Sequence, residues 1–185
     1  LSAALLTDGT ARLRDVLPVS PAEPVPDSLT AFTPLAFDGK KIKYVARRLK
    51  ATRAVRGHVI GGKILVAEDV RTGLAVAMEA DPNGDASDLA LVPGLLGRTR
   101  AVVEGTRLWI GDRLFCDLIH LPQLAADGDH FVVRYQAKVK FHPDPDCPAQ
   151  SGTNNRGQAF TQEWGWLGAP GDPRRLSVRR ITVQR

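Results

Sequence analysis

Residues 58–70 (HVIGGKILVAEDV) and 73–80 (GLAVAMEA) are β-branched and small apolar runs separated by little more than Arg71-Thr72-Gly73. So short a link joins antiparallel neighbours, whereas a parallel return needs a crossover of about a dozen residues or more. The two runs are therefore expected to form a β-hairpin, and the rest of the chain has to be arranged around it. Pro82-Asn83-Gly84 then turns the chain into Asp85, which suits the cap of a helix over 86–96. In that helix Asp88 lies in the first turn, Leu89, Val92 and Leu96 share a face, and Pro93-Gly94 is expected to kink the middle. Two short apolar strands, 32–38 (FTPLAFD) and 107–112 (RLWIGD), each run into an aspartate, and Asp38-Gly39 reads as a turn. Leu114, Leu118, Leu121, Leu124 and Ala125 predict a second helix over 114–126, stopped at Asp127-Gly128. Strands are expected at 130–141, 160–167 and 176–185, with a polar Pro, Gly and Asn loop over 142–159. Such an order makes an α/β chain whose sheet mixes parallel and antiparallel strands.

A chain of 185 residues with 43% hydrophobic content is expected to fold around one core. No apolar run approaches the roughly 18 to 20 residues that span a bilayer, and no basic-then-apolar leader opens the chain, so no membrane partner is expected. Cys116 and Cys147 give no disulfide framework, which points to a reducing compartment. Residues 1–17 read as a short helix, and the four prolines of PVSPAEPVPDS (18–28) as an extended linker, so 1–30 is expected to close an upstream region. A start on Leu1 and an end in strand-like sequence lead us to expect a piece of a longer protein.

The formal charge of +5 conceals a segregation. Residues 39–56 hold eight cations and no acid: Lys40, Lys41, Lys43, Arg47, Arg48, Lys50, Arg53 and Arg56. Residues 174–185 hold five more, again unopposed, so these 30 residues carry 13 of the 25 basic side chains and the other 155 run 12 basic to 20 acidic. An acidic body with two basic patches suits a phosphate backbone and its condensed counterions. A solvated face, or an interface with an acidic partner domain, accounts for the same runs.

Asp38 and Asp112 stand 74 residues apart, each after an apolar strand. Ligand sites of open α/β sheets lie past the carboxyl ends of strands, and if these two strands are neighbours both carboxylates reach one edge. Carboxylate oxygens are hard ligands that suit Mg²⁺ or Mn²⁺, and paired ions clamp the entering and leaving oxygens of a phosphoryl transfer. Spacing alone leaves a second reading open, in which Asp38 begins a turn and Asp112 caps the next segment. Cys116, His120, His142 and Cys147 have no recognised zinc-finger spacing, Gly61-Gly62-Lys63 lacks the phosphate-loop pattern, and no G-x-S-x-G is present. Trp109, Trp164 and Trp166 are expected in the core, the last two having base stacking as their alternative.

The blocks LAFDGK (35–40), ILVAEDVRTGLAVAMEADPNGDASD (64–88) and LWIGDRLFCDLIHLPQLAADGDHFVVRYQ (108–136) resemble the catalytic domain of bacterial insertion-sequence transposases of the IS4-like DDE group. The resemblance implies a ribonuclease H-like mixed sheet flanked by helices over 31–141, incomplete at the C-terminus, with 142–185 opening a β-rich insertion. It implies that Asp38 is the first catalytic, metal-binding aspartate and Asp112 the second, in an Asp-Arg-x-Phe block, with Mg²⁺ or Mn²⁺ as cofactor and double-stranded DNA as partner. Arg113 and Arg134 lie in the same blocks and join the eight cations of 39–56 as expected DNA contacts. The family's third acid, a glutamate, is expected on a helix beyond residue 185, so this fragment is expected to be inactive alone. A homodimer of the full-length protein and a bacterial cytoplasmic, nucleoid-associated location are further implications. The rival readings are a non-catalytic nucleic-acid or protein-binding remnant and an unrelated Mg²⁺-dependent nuclease.

Overall fold

The computed structural model describes Gly9, Arg12 and residues 26–42, 62–82 and 85–184. The expected helix over 1–17 and most of the proline-rich linker lie outside them. The chain forms two compact units, one of Leu1–Asp112 with Leu124–Val132 and one of Arg113–Gln123 with Val133–Arg185.

The first unit holds a mixed sheet of β1 (Thr33–Ile42), β2 (Gly62–Asp69), β3 (Leu74–Asp81), β4 (Arg107–Gly111) and β5 (His130–Val133) in the order β3-β2-β1-β4-β5. β2 and β3 form the expected antiparallel hairpin. Gly73 takes φ +67° at its tip, a conformation that a side chain would strain, and its N–H donates to Asp69 O at 2.8 Å. β1 pairs antiparallel with β2 and parallel with β4. Leu35, Phe37, Leu65, Ala67 and Trp109 alternate onto one face and are buried there. The helix α1 (Asp88–Val102) packs on β2 and β3 with Leu91, Val92, Leu95, Leu96 and Thr99 buried. A sheet with helix packed on it is the general arrangement expected.

Two sequence expectations are corrected in this unit. Asp38-Gly39 is not a turn, because β1 continues to Ile42 and pairs Asp38 with Val66 and Gly39 with Leu65. Ladder pairing outweighs the local turn preference. The cap of α1 is Ser87 rather than Asp85, its side chain accepting the Leu89 N–H at 3.2 Å. Pro93 stays inside a helix of 15 residues on its exposed side, where burial of the opposite face offsets the lost backbone bond.

The second unit is built on β8 (Ala159–Leu167). It pairs with β9 (Leu176–Val183) along its length and with β6 (Phe141–Pro143) and β7 (Gln150–Thr153) near its two ends, all antiparallel. β8 and β9 match the expected strands, whereas the loop expected over 142–159 contains β7. The strand expected over 130–141 is broken into β5 and β6 by turns. In place of a helix over 114–126 there are 3-10 turns at Arg113–Phe115 and Ala126–Gly128 and a short α2 (Leu121–Leu124). Asp117 is the reason: its Oδ1 accepts the backbone N–H of Ile119 at 2.7 Å and of His120 at 2.9 Å, a local turn that competes with a helix. Phe115, Cys116, Leu121, Val139 and Leu167 are the unit's buried apolar residues.

Candidate metal centre

The parallel pairing of β1 with β4 matches Thr33 to Arg107, Pro34 to Leu108, Leu35 to Trp109 and Ala36 to Ile110, a constant offset of 107 − 33 = 74. Asp38 and Asp112 are separated by the same 74; the pairing itself ends at Ala36–Ile110, and Asp112 is the first residue beyond β4. Paired strands lie about 4.8 Å apart. Residues two apart in a strand share a face, so Asp38 follows Ala36 on the face opposite Leu35 and Phe37, and Asp112 follows directly on the end of β4. Both are exposed. The Asp38 carboxylate accepts the Gly39 N–H at 2.8 Å, a local bond that fixes one of its oxygens. In kind, two exposed carboxylates, one within β1 and one just past the end of its parallel neighbour β4, fit a hard divalent ion. In number they are incomplete, since no group of three or more His, Cys, Asp or Glu able to hold a metal occurs among the described residues.

Two ion pairs lie on the other face of the sheet from Asp38, where α1 packs. Lys41 meets Asp85, and Lys63 Nζ lies 2.8 Å from Asp88 Oδ1, tying β1 and β2 to the start of α1. Of the cations singled out in the sequence, Lys40 is exposed on β1 and Lys41 is engaged by Asp85. Lys43, Arg47, Arg48, Lys50, Arg53 and Arg56 lie outside the described residues. Arg113 and Arg134 are exposed and belong to the second unit.

No protein-family model matches this chain, and no curated protein does. Among solved structures it is similar to a transposase. The cryo-EM structure of the piggyBac transposase synaptic complex with hairpin DNA has a TM-score of 0.36 and 12% sequence identity, over 73% of this chain and 30% of that chain. The present chain thus spans less than a third of that transposase.

Other chemistry-bearing residues resolve into local roles. Within the second unit, the His120 ring nitrogen Nδ1 bonds Asp117 Oδ2 at 2.8 Å, Cys116 is buried and Cys147 is exposed. Burial alone would raise the Asp117 carboxyl, but hydrogen bonds from the His120 backbone and ring and from Ile119 hold it below its ordinary value. Burial raises the Cys116 thiol. Trp109 is fully buried as expected, whereas Trp164 is 43% exposed and is not a core residue. The Arg179 guanidinium lies 5.5 Å from the Trp164 ring centroid, and that of Arg175 lies 4.2 Å from Trp166. Alternation within a strand does not tell which face is covered, so exposure of that face was not readable from sequence. Sequence reasoning also missed Lys63, whose ion pair with Asp88 spans 25 residues of chain (88 − 63 = 25).

Proposed function

We propose that this chain is part of a metal-dependent transposase of the DDE type, with a ribonuclease H-like core acting on double-stranded DNA. Asp38 and Asp112 would hold Mg²⁺ or Mn²⁺, and the bound ions would activate water and stabilise charge on the phosphodiester during cleavage and joining. The observation that carries this reading is the offset of 74, common to the β1–β4 register and to the two aspartates. The resemblance of the sequence blocks around the same two residues supports it. The basic run of 39–56 adjoins Asp38 in sequence and is suited to the DNA backbone.

The test is Mn²⁺ binding followed by paramagnetic broadening of Asp38 and Asp112 resonances in the parent and in Asp38→Asn and Asp112→Asn. Broadening in the parent and its loss in each variant is the expected result. Because two carboxylates leave an ion underligated, the isolated chain is expected to show little or no DNA cleavage with either metal. Robust metal-dependent cleavage that Asp112→Asn abolishes would place a third ligand within this chain. The second reading, a non-catalytic nucleic-acid-binding remnant, is favoured by the bond that engages Asp38 with its own neighbour's N–H. DNA binding with no Mn²⁺ response at either aspartate would select it.

A further inference from the structure

Asp38 is followed by a glycine inside a regular strand, a choice that weakens a strand unless something needs the space. At Gly39 something does. A Cβ built there would collide with the Asp88 carboxylate, all three of whose terminal atoms lie in the space a side chain would take. Asp88 opens α1, so the helix start rests directly on the β1 backbone one residue beyond Asp38. Its Oδ1 is buried, and among the described residues its charge is met by Lys63 Nζ at 2.8 Å, in a pair whose side chains are only 18% and 13% exposed. Lys63 stands opposite Lys41 on β1, and Lys41 pairs with Asp85 just ahead of the helix. One ion pair thus ties the helix start to β2 and the other ties Asp85, just ahead of the helix, to the strand that carries Asp38, while the glycine lets the Asp88 carboxylate seat against the β1 backbone.

We infer that Asp88 is a positioning residue, whose carboxylate fills the side-chain space of Gly39 and fixes the part of β1 that presents Asp38. The placement stands on contacts alone, while its bearing on a bound ion rests on the metal-site reading proposed above. The experiment compares the parent, Asp88→Ser, Gly39→Ala and the double variant Gly39→Ala/Asp88→Ser by amide hydrogen exchange and by the ¹³Cγ resonance of Asp38. Ser keeps a short polar group in the first turn and empties the contested space; Asp88→Ala serves as an additional variant. Each single substitution is expected to accelerate exchange of the Gly39 amide by at least about tenfold and to shift the Asp38 carboxyl resonance, with Leu108–Ile110 in β4 unchanged. In the double variant the alanine methyl occupies the vacated space, so Gly39-position exchange and the Asp38 resonance should return towards the parent. Additive damage in the double variant, or single variants that leave both signals in place, would overturn the inference. A Mn²⁺ titration runs in parallel. Loss of about tenfold or more in Mn²⁺ affinity in Asp88→Ser is expected, as for residues that orient ligands. Absence of Mn²⁺ binding by the parent would remove the metal reading, with exchange still deciding the role of Asp88.

Discussion

Asp129 shows how much a single side chain depends on residues distant in sequence. Its carboxylate is fully buried and takes four donors, Arg100 Nε, the backbone N–H and a guanidinium nitrogen of Arg107, and Trp109 Nε1, at 3.0 to 3.2 Å. Burial alone would raise the carboxyl, but the bonds from Trp109, Arg107 and Arg100 outweigh it and hold the group below its ordinary value. A depressed folded value means that the stabilisation is present above the ordinary carboxylate value and fades as pH falls through the folded one. Asp129→Ala leaves Arg107 buried without its charge partner and is expected to cost about 3–5 kcal/mol in urea unfolding at neutral pH. The gap between parent and variant should narrow progressively in acid. Nothing in the sequence flagged Asp129, since Asp127-Gly128 beside it carried the local turn signal and its partners sit 20 to 29 positions earlier.

At the scale of elements, legibility followed the range of the deciding interaction. The β2–β3 hairpin was readable because a four-residue link makes the two strands antiparallel by local geometry alone. The helix after it was readable from its apolar face, though its cap moved to Ser87 and its end to Val102. Ser87→Ala is expected to cost about 1 kcal/mol, and Pro93→Ala, on the exposed side, to raise the melting temperature by restoring a backbone bond. Thermal unfolding of the two variants measures both. The segment after Asp112 misled because its leucines keep helical spacing while Asp117 captures two backbone N–H groups and Pro122 supplies none. At β1, a Gly that usually signals a turn is instead the seat of another element's carboxylate, which only the folded chain reveals.

Over the whole molecule, length suggested one core, whereas the chain divides into two compact units, the second interrupting the first between Asp112 and Leu124. The alternating patterns of β8 and β9 marked strands without telling that they start a separate sheet. Charge segregation, in contrast, is a property of sequence and carries its own prediction. If four cations of 39–56 reach phosphates, the slope of log affinity against log salt for duplex DNA should be about −3.6. Replacing Arg47, Arg48, Lys50 and Arg53 by Ala should weaken specific and random duplexes alike and flatten that slope in anisotropy titrations. Unchanged affinity and slope would remove this run as the DNA-facing surface.

The shared offset between β1 and β4 also sets which changes in chain length the pair of aspartates tolerates. An insertion in the link Val70–Gly73 lengthens the turn between β2 and β3 and leaves β1 paired with β4, so such a variant should keep the β1–β4 register. A one-residue deletion between Arg107 and Gly111 is different, because strand side chains alternate with a period of two. It would carry Asp112 to the face where Trp109 and Phe37 are packed, and a lineage could lose the pair by a single codon without altering either aspartate.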